Sequence, residues 1–295
     1  MPHPVTISDE APPGTRPARA DPPPHLSWSE RRDWFHTQLR QQPLAGISAE
    51  EIEVHFSGMP AHYWERVNGN DLAWGLETIH GFLNIVTMAN APGTKPFVTW
   101  GQLPHANRTR VMLCTWDRHG LLAKAAAAFS AVRLNIVQAG VFTRADNVVL
   151  DLFSVVHSDG HGVGRVTQLQ EMSFLLEGAL SEPPRFASVW ACSRHKYLAA
   201  PPQFPPRVTF DNNSSPSSTI IHVEAADRLG LLYDILQTLA DHHLAIKEAS
   251  IETDNDLAHD TIHVVDAHGQ KLNDTQELDG LRRGLEAAIV VTAQR

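Results

Sequence analysis

The chain has 295 residues, 42% of them hydrophobic and 19% charged, with 24 Lys and Arg against 33 Asp and Glu and a formal net charge of −9. This is the composition of an ordinary globular protein with room for two or three domains. The acidic balance, with no Lys/Arg-rich run, argues against nucleic acid as a partner, and no apolar run approaches the ~20 residues of a membrane span.

The start, MPHPVTISDEAPPG, has neither the basic nor the apolar region of a secretory signal. Cys114 and Cys192 both lie in apolar surroundings, which predicts buried thiols rather than a disulfide and makes the cytoplasm the expected location. Residues 1–25 hold eight prolines and almost no large apolar side chain. Such a stretch cannot bury enough surface to offset its ordering entropy, and a disordered tail is expected.

A helical lead-in is expected over 26–103. Ser27-x-x-Glu30 and Ser48-x-x-Glu51 are capping-box patterns, and Pro60 opens a further turn through Trp64. Leu72, Leu76, Ile79, Leu83 and Val86 recur at one helical face and predict a helix over 71–89. The texture then changes. A first α+β domain is expected over 104–198: strand 111–115, helix 120–132, strands 134–143 and 148–156, helix 167–180 and strand 185–192. A Pro-rich and polar linker follows (199–216). The same order then returns over 217–295: strand 219–224, helix 229–242, strands 245–253 and 257–266, helix 273–287 and strand 288–293. The order βαββαβ is the ferredoxin-like unit.

The two halves are a repeat. Residues 117–143 align on 227–253 without a gap, and nine of the 27 pairs are identical, against about two expected from composition. Among them are Asp117/Asp227, Arg118/Arg228, Gly120/Gly230, Leu121/Leu231, Leu122/Leu232 and Ile136/Ile246; one residue is lost in the hairpin turn, and Asp151 then meets Asp260. In each loop the Asp is expected to cap the helix, the Gly to admit something close to the turn, and the Leu pair to anchor the helix.

DRHGLL and DRLGLL resemble the ACT-domain loop, and RLNIVQAGVFT resembles its second strand. The order of parts, the stretch EIEVHFSGMPAHYWERVNGNDLAWGLETI and the connector PPRVTFDNNSSPSSTIIHVEAADRLGLL are similar to the C-terminal regulatory half of bacterial protein-PII uridylyltransferases, from about residue 45 onward. That family places a nucleotidyltransferase and an HD phosphohydrolase domain in front of this region. About 45 Pro-rich or helical residues leave no room for either, so neither activity is expected of this chain. The resemblance implies a non-catalytic sensor of a small amino acid, glutamine among the candidates, with no cofactor. A protein partner or homo-oligomer would form through the ACT domains. A regulatory half that works with separate catalytic subunits is the alternative, and a pure interaction module the blander one.

The candidate ligand residues are Trp116, Asp117, Arg118, His119, Gly120, Leu121 and Leu122 of the first loop, closed over by Asn135 and Ile136. Their counterparts are Asp227, Arg228, Leu229, Gly230 and Leu231 with Ala245 and Ile246. A helix start favours a carboxylate, and Asn135 offers an amide where Ala245 offers none, so the first loop is the expected site. His119 and Leu229 stand where the family often has proline. Helix caps without a ligand would explain the same loops. His259 and His263, four apart on a strand, lie ~13 Å from one another and cannot share an ion. Asp151 and Asp260 are expected to face solvent or bond a neighbouring loop.

Overall fold

A computed structural model describes residues 19–88, 96–103, 108–157, 205–254 and 256–290, with Gln170, Ser173, Phe174, Gly178 and Leu180. In chain order the elements are α1 (Trp28–Gln41), α2 (Ala49–Gly58), α3 (Ala61–Arg66), α4 (Gly69–Met88), β1 (Phe97–Leu103), β2 (Arg108–Trp116), α5 (Leu121–Ala131), β3 (Leu134–Gly140) and β4 (Val148–His157). They continue with β5 (Arg207–Asp211), β6 (Thr219–Ala226), α6 (Leu231–Asp241), β7 (Ala245–Asp254), β8 (Leu257–Val265) and α7 (Thr275–Ile289). Two compact units form: Met1–Gln102 with Val111–Asp117 and Phe142–Leu152, and Leu103–Arg110 with Arg118–Val141 and Phe153–Arg295. The fold is α+β, two ferredoxin-like repeats behind a helical segment, and no helix among the described residues is long and apolar enough to cross a membrane.

The first unit is the helical lead-in closed over strands in the order β1-β2-β4. Both predicted capping boxes form: Ser27 and Ser48 each accept the N3 amide of their helix, and Glu30 and Glu51 reach back to the cap residue's own N–H at 2.8 Å. The predicted 71–89 helix is α4, and Leu72, Leu76 and Ile79 are buried along it. They share one core with Phe35, Phe56, Tyr63 and Trp64, and with Met112 and Cys114 of β2 and Val148 and Leu150 of β4. Alternation along a strand sends every second side chain to this face. The turn after Phe142 is tied in as well. Arg144 makes a bidentate pair with Asp146 at 2.8 and 2.7 Å, and the Ala145 amide donates to the Gly58 carbonyl. Burial pushes the Cys114 thiol up, as an inert core thiol requires; Cys192 lies outside the described residues.

Of the stretch 1–25 expected to be disordered, residues 1–18 lie outside the described residues, and 19–25 are described. Arg19 and Asp21 are bonded at the start of α4, where the Arg19 amide donates to Asn70 and the Gly69 amide to Asp21. The carboxylate satisfies one of the amides a helix start leaves over, which composition cannot foresee.

In the second unit the strand order is β4-β3-β7-β8-β6-β5. β3 and β7, equivalent strands of the two repeats, pair antiparallel at Gln138–Glu252, Ala139–Ile251 and Gly140–Ser250. Gly140 and Ser250 are repeat counterparts, so this seam has a pseudo-two-fold at that pair. Edge-to-edge pairing removes two exposed ladders at once. Backbone conformation repeats too, even where the side chains differ: positive φ recurs at Arg133 (65°) and His243 (57°), Asn147 (66°) and Asp256 (62°).

Two expectations need correction. Ala288 and Ile289, expected in a closing strand, belong to α7, because Leu281, Leu285 and Ile289 continue its apolar face. Residues 291–295 lie outside the described residues, as do the first repeat's expected closing strand, 185–192, and all but the five named residues of the segment that contains its expected second helix. The edge beside β6 is taken instead by β5, from the stretch expected to be linker, in register from Arg207–Glu224 to Asp211–Ile220. The alternation in Arg207–Asp211 was the signal, masked by the prolines before it.

Candidate functional site

The loop between β6 and α6 opens with Asp227, whose amide donates to the Asp256 carbonyl at 2.8 Å; in the first repeat Asp117 donates in the same way to Asn147. The loop then turns through Gly230, the N-cap residue of α6, at φ 82°; its counterpart Gly120 caps α5 at φ 69°. Neither helix has a side-chain cap, so the aspartates do not cap as expected. The glycines are needed for left-handed backbone. A Cβ on Gly120 would meet nothing within 4 Å, which leaves the surface of that turn open.

The released aspartate of the second repeat has other partners. Asn135, on β3, donates from Nδ2 to Asp227 Oδ2 at 2.7 Å. The Thr253 hydroxyl and the Arg228 amide also donate to this carboxylate. Burial raises the Asp227 carboxyl above its ordinary range; those three donors pull it back and Asp256 adds to the rise. Asn135 was expected to close over its own repeat's loop. It reaches the loop of the other repeat, because the antiparallel seam lays the start of β3 against the far repeat. Asp117 is exposed, while Asp227 is half-buried.

Several expected ligand residues are occupied by the fold. Trp116 packs edge-on against Phe82 at 5.5 Å between ring centres. Leu121, Leu122, Leu231 and Ile136 are buried. Arg228 donates to Asp234 at 2.6 Å and to the Ala288 carbonyl at 3.0 Å, so it closes the carboxyl end of α7; Arg118 donates likewise to the Leu180 carbonyl. His119 meets the Ala240 carbonyl at 3.3 Å, with the His243 ring 6.3 Å away. Leu229, Ala245 and Ile246 are half-buried. His259 and His263 both lie on β8, and His263 is bonded to Ser218 at 3.1 Å.

Two residues of the repeat were underestimated. Asp151 and Asp260 are 1% and 2% exposed, not turned to solvent. Each accepts a backbone amide, from Phe142 just past β3 for Asp151 and from Glu252 on β7 for Asp260. Each also keeps one buried oxygen without a hydrogen-bond partner, Oδ2 of Asp151 and Oδ1 of Asp260. Burial, with the neighbouring Asp227 charge, pushes Asp260 up to about 8; burial and Asp117 push Asp151 the same way. Their identity in both repeats was the signal in the sequence.

Residues 214–292 match the family described as ACR family N-terminal ACT domain. The chain is 30% identical over 251 residues to the bifunctional uridylyltransferase/uridylyl-removing enzyme of Azospirillum brasilense, covering 83% of this chain and 26% of that protein. The enzyme of the same name from Caulobacter vibrioides is 34% identical over 193 residues, 63% of this chain and 20% of that one. For Rhodospirillum rubrum the figures are 30% over 206 residues, 65% and 21%. The chain thus spans between a fifth and about a quarter of the length of these relatives. Repeat, fold and matches agree: the second copy of a duplicated ferredoxin-like unit matches an ACT-domain family, and the chain resembles the C-terminal regulatory half of the bifunctional uridylyltransferase/uridylyl-removing enzymes.

Proposed function

We propose that the chain is a regulatory sensor of a free amino acid, glutamine being the first to try, and that the ligand sits at the Asp227–Leu231 loop under Asn135. The observation that carries this reading is the Asn135–Asp227 bond, which joins a side chain of one repeat to the loop of the other. An amide and a carboxylate there supply both donors and an acceptor for an amino acid's polar ends. The start of α6 adds partial positive charge for a carboxylate. Ala245 in place of the amide makes the counterpart at the first loop the poorer site.

Sensing follows from linkage. A ligand that touches both repeats binds one arrangement of the seam better than another, and shifts the balance by that difference. Calorimetric titration with an amino-acid panel tests it. Wild type binds, Asn135→Ala weakens binding at least about tenfold, as loss of a site's hydrogen bond to a charged group does, and Asn135→Asp, with like charge facing Asp227, weakens it further. If no amino acid binds wild type at millimolar concentration, the sensor reading is rejected.

The relatives' double activity favours a second reading, a regulatory half working with catalytic subunits on separate chains. Alone, with UTP, magnesium and a PII-type protein, this chain leaves the acceptor unmodified in either reading. Modification above a no-enzyme control would reject both. Modification that appears only on adding a separate nucleotidyltransferase, and responds to the amino acid, selects the second.

A further inference from the structure

We propose that Asp260 is a proton-exchanging part of the ligand subsite in the second repeat: it holds a proton while the site is empty and gives it up when a ligand's ammonium group binds beside Asp227. This rests on the sensor reading and assigns which part of the ligand the two carboxylates meet, its protonated primary amine.

The geometry carries it in three steps. Asp260 lies in the interior of β8, paired with Val223 on β6 and Ile251 on β7, and is 2% exposed. One of its oxygens takes the Glu252 amide, and the other, Oδ1, is buried with no partner. A buried carboxylate oxygen left without a donor is costly, so an empty site favours the neutral acid. Second, its charged neighbour is the Asp227 carboxylate, the same group that Asn135 and Thr253 hold at the loop. Two carboxylates that feel one another do not both ionise readily unless a cation comes between them. Third, among the described residues the remaining surroundings offer no such cation. The strand neighbours Val223 and Ile251 are apolar, and the buried residues of α6 and α7 are leucines and isoleucines. Arg228 is committed to Asp234 and the last carbonyls of α7, while Asp256 adds negative charge at Asp227. Burial and the Asp227 charge, which push Asp260 up to about 8, agree with a proton held at neutral pH.

The exchange balances. The Asp260 O–H bond breaks and its proton leaves to solvent. The ligand keeps its ammonium protons, which face the two carboxylates, so net charge at the site rises by nothing more than the ligand brings less the proton released. Asp151 and Asp117 repeat the buried acid and its charged neighbour in the other half, but without Asn135 at the loop.

Two measurements test it, the first with no ligand. In protein carrying 13C-labelled aspartate carboxyls, the resonance lost in Asp260→Asn is followed against pH. Titration near neutral or above is expected, and titration below pH ~5, an ordinary carboxyl range, overturns the proposal. Asn mimics the neutral acid in shape, so this variant should fold; its melting profile verifies that. The second is glutamine binding at pH 7 by calorimetry in phosphate and in Tris. With about one proton released, the enthalpies differ between the buffers, and the difference disappears in Asp260→Asn. Binding with equal enthalpies in both buffers overturns the proposal and leaves the sensor reading intact. Absence of binding by every amino acid sinks the sensor reading, and the proposal with it.

Discussion

Gly120 and Gly230 show what a single residue contributes to the loop. Both hold φ near +70 to +80°, at 69° and 82°, where a Cβ meets its own backbone. Since a Cβ on Gly120 would touch nothing else within 4 Å, the cost of Gly120→Ala is conformational, about 1–2 kcal/mol. Urea denaturation should show the midpoint falling accordingly, and an unchanged midpoint would contradict the left-handed turn. Asn135 and Asp227 form the other residue-scale test. In a double-mutant cycle with alanine at each, a coupling of about 0.5–3 kcal/mol is expected for a direct bond between half-buried groups. Additive effects would mean that the two side chains do not meet in solution.

At the scale of elements, Arg228 binds one helix end to another. Arg228 takes the last carbonyls of α7 and the Asp234 carboxylate of α6, so the loop, α6 and the end of α7 move together. Helix carboxyl ends carry unpaired carbonyls and partial negative charge, which suits a cation there. Arg228→Ala should destabilise the protein by about 1.5–3 kcal/mol, the range for bonds to charged groups. Arg228→Lys should recover less than half of that, because one ammonium cannot reproduce the planar fork. Hydrogen exchange would show the loss concentrated at the end of α7; a uniform loss over the chain would argue against this capping role.

For the whole molecule, pH acts through buried groups. His55 is fully buried among Phe56, Tyr63 and Trp64, and burial, with Arg144 nearby, holds it down to about 3. Its folded form resists protonation, so its contribution to stability is complete above about 6.5, the ordinary value, and is lost as pH falls from there towards about 3. Asp260 works in the other direction. Its folded value of about 8 lies above the ordinary 3.8, so stability falls as pH rises between them. Each group contributes a slope of at most about 1.4 kcal/mol per pH unit. Thermal melts of His55→Phe should lose part of the acid decline, and those of Asp260→Asn part of the alkaline one. Profiles parallel to wild type would show that these groups are not buried as described.

What the sequence by itself determined was everything local or repeated: the capping boxes, the α4 face, the strand-helix-strand order and the duplicated Asp-Arg-x-Gly-Leu-Leu loop. Periodicity and capping act within a few residues, and a repeat needs no structure to be seen. What tertiary structure decided were pairings between distant residues. Antiparallel docking of β3 on β7 carried Asn135 to Asp227, 92 positions away, rather than to its own loop. That moved the candidate site from the first repeat to the second. Pairing with β6 placed β5 at the edge expected for a closing strand, since a sheet edge can be filled from either end of the chain. Burial, a property of the assembled core and not of any stretch of letters, turned Asp151 and Asp260 from polar residues within apolar strands into enclosed acids.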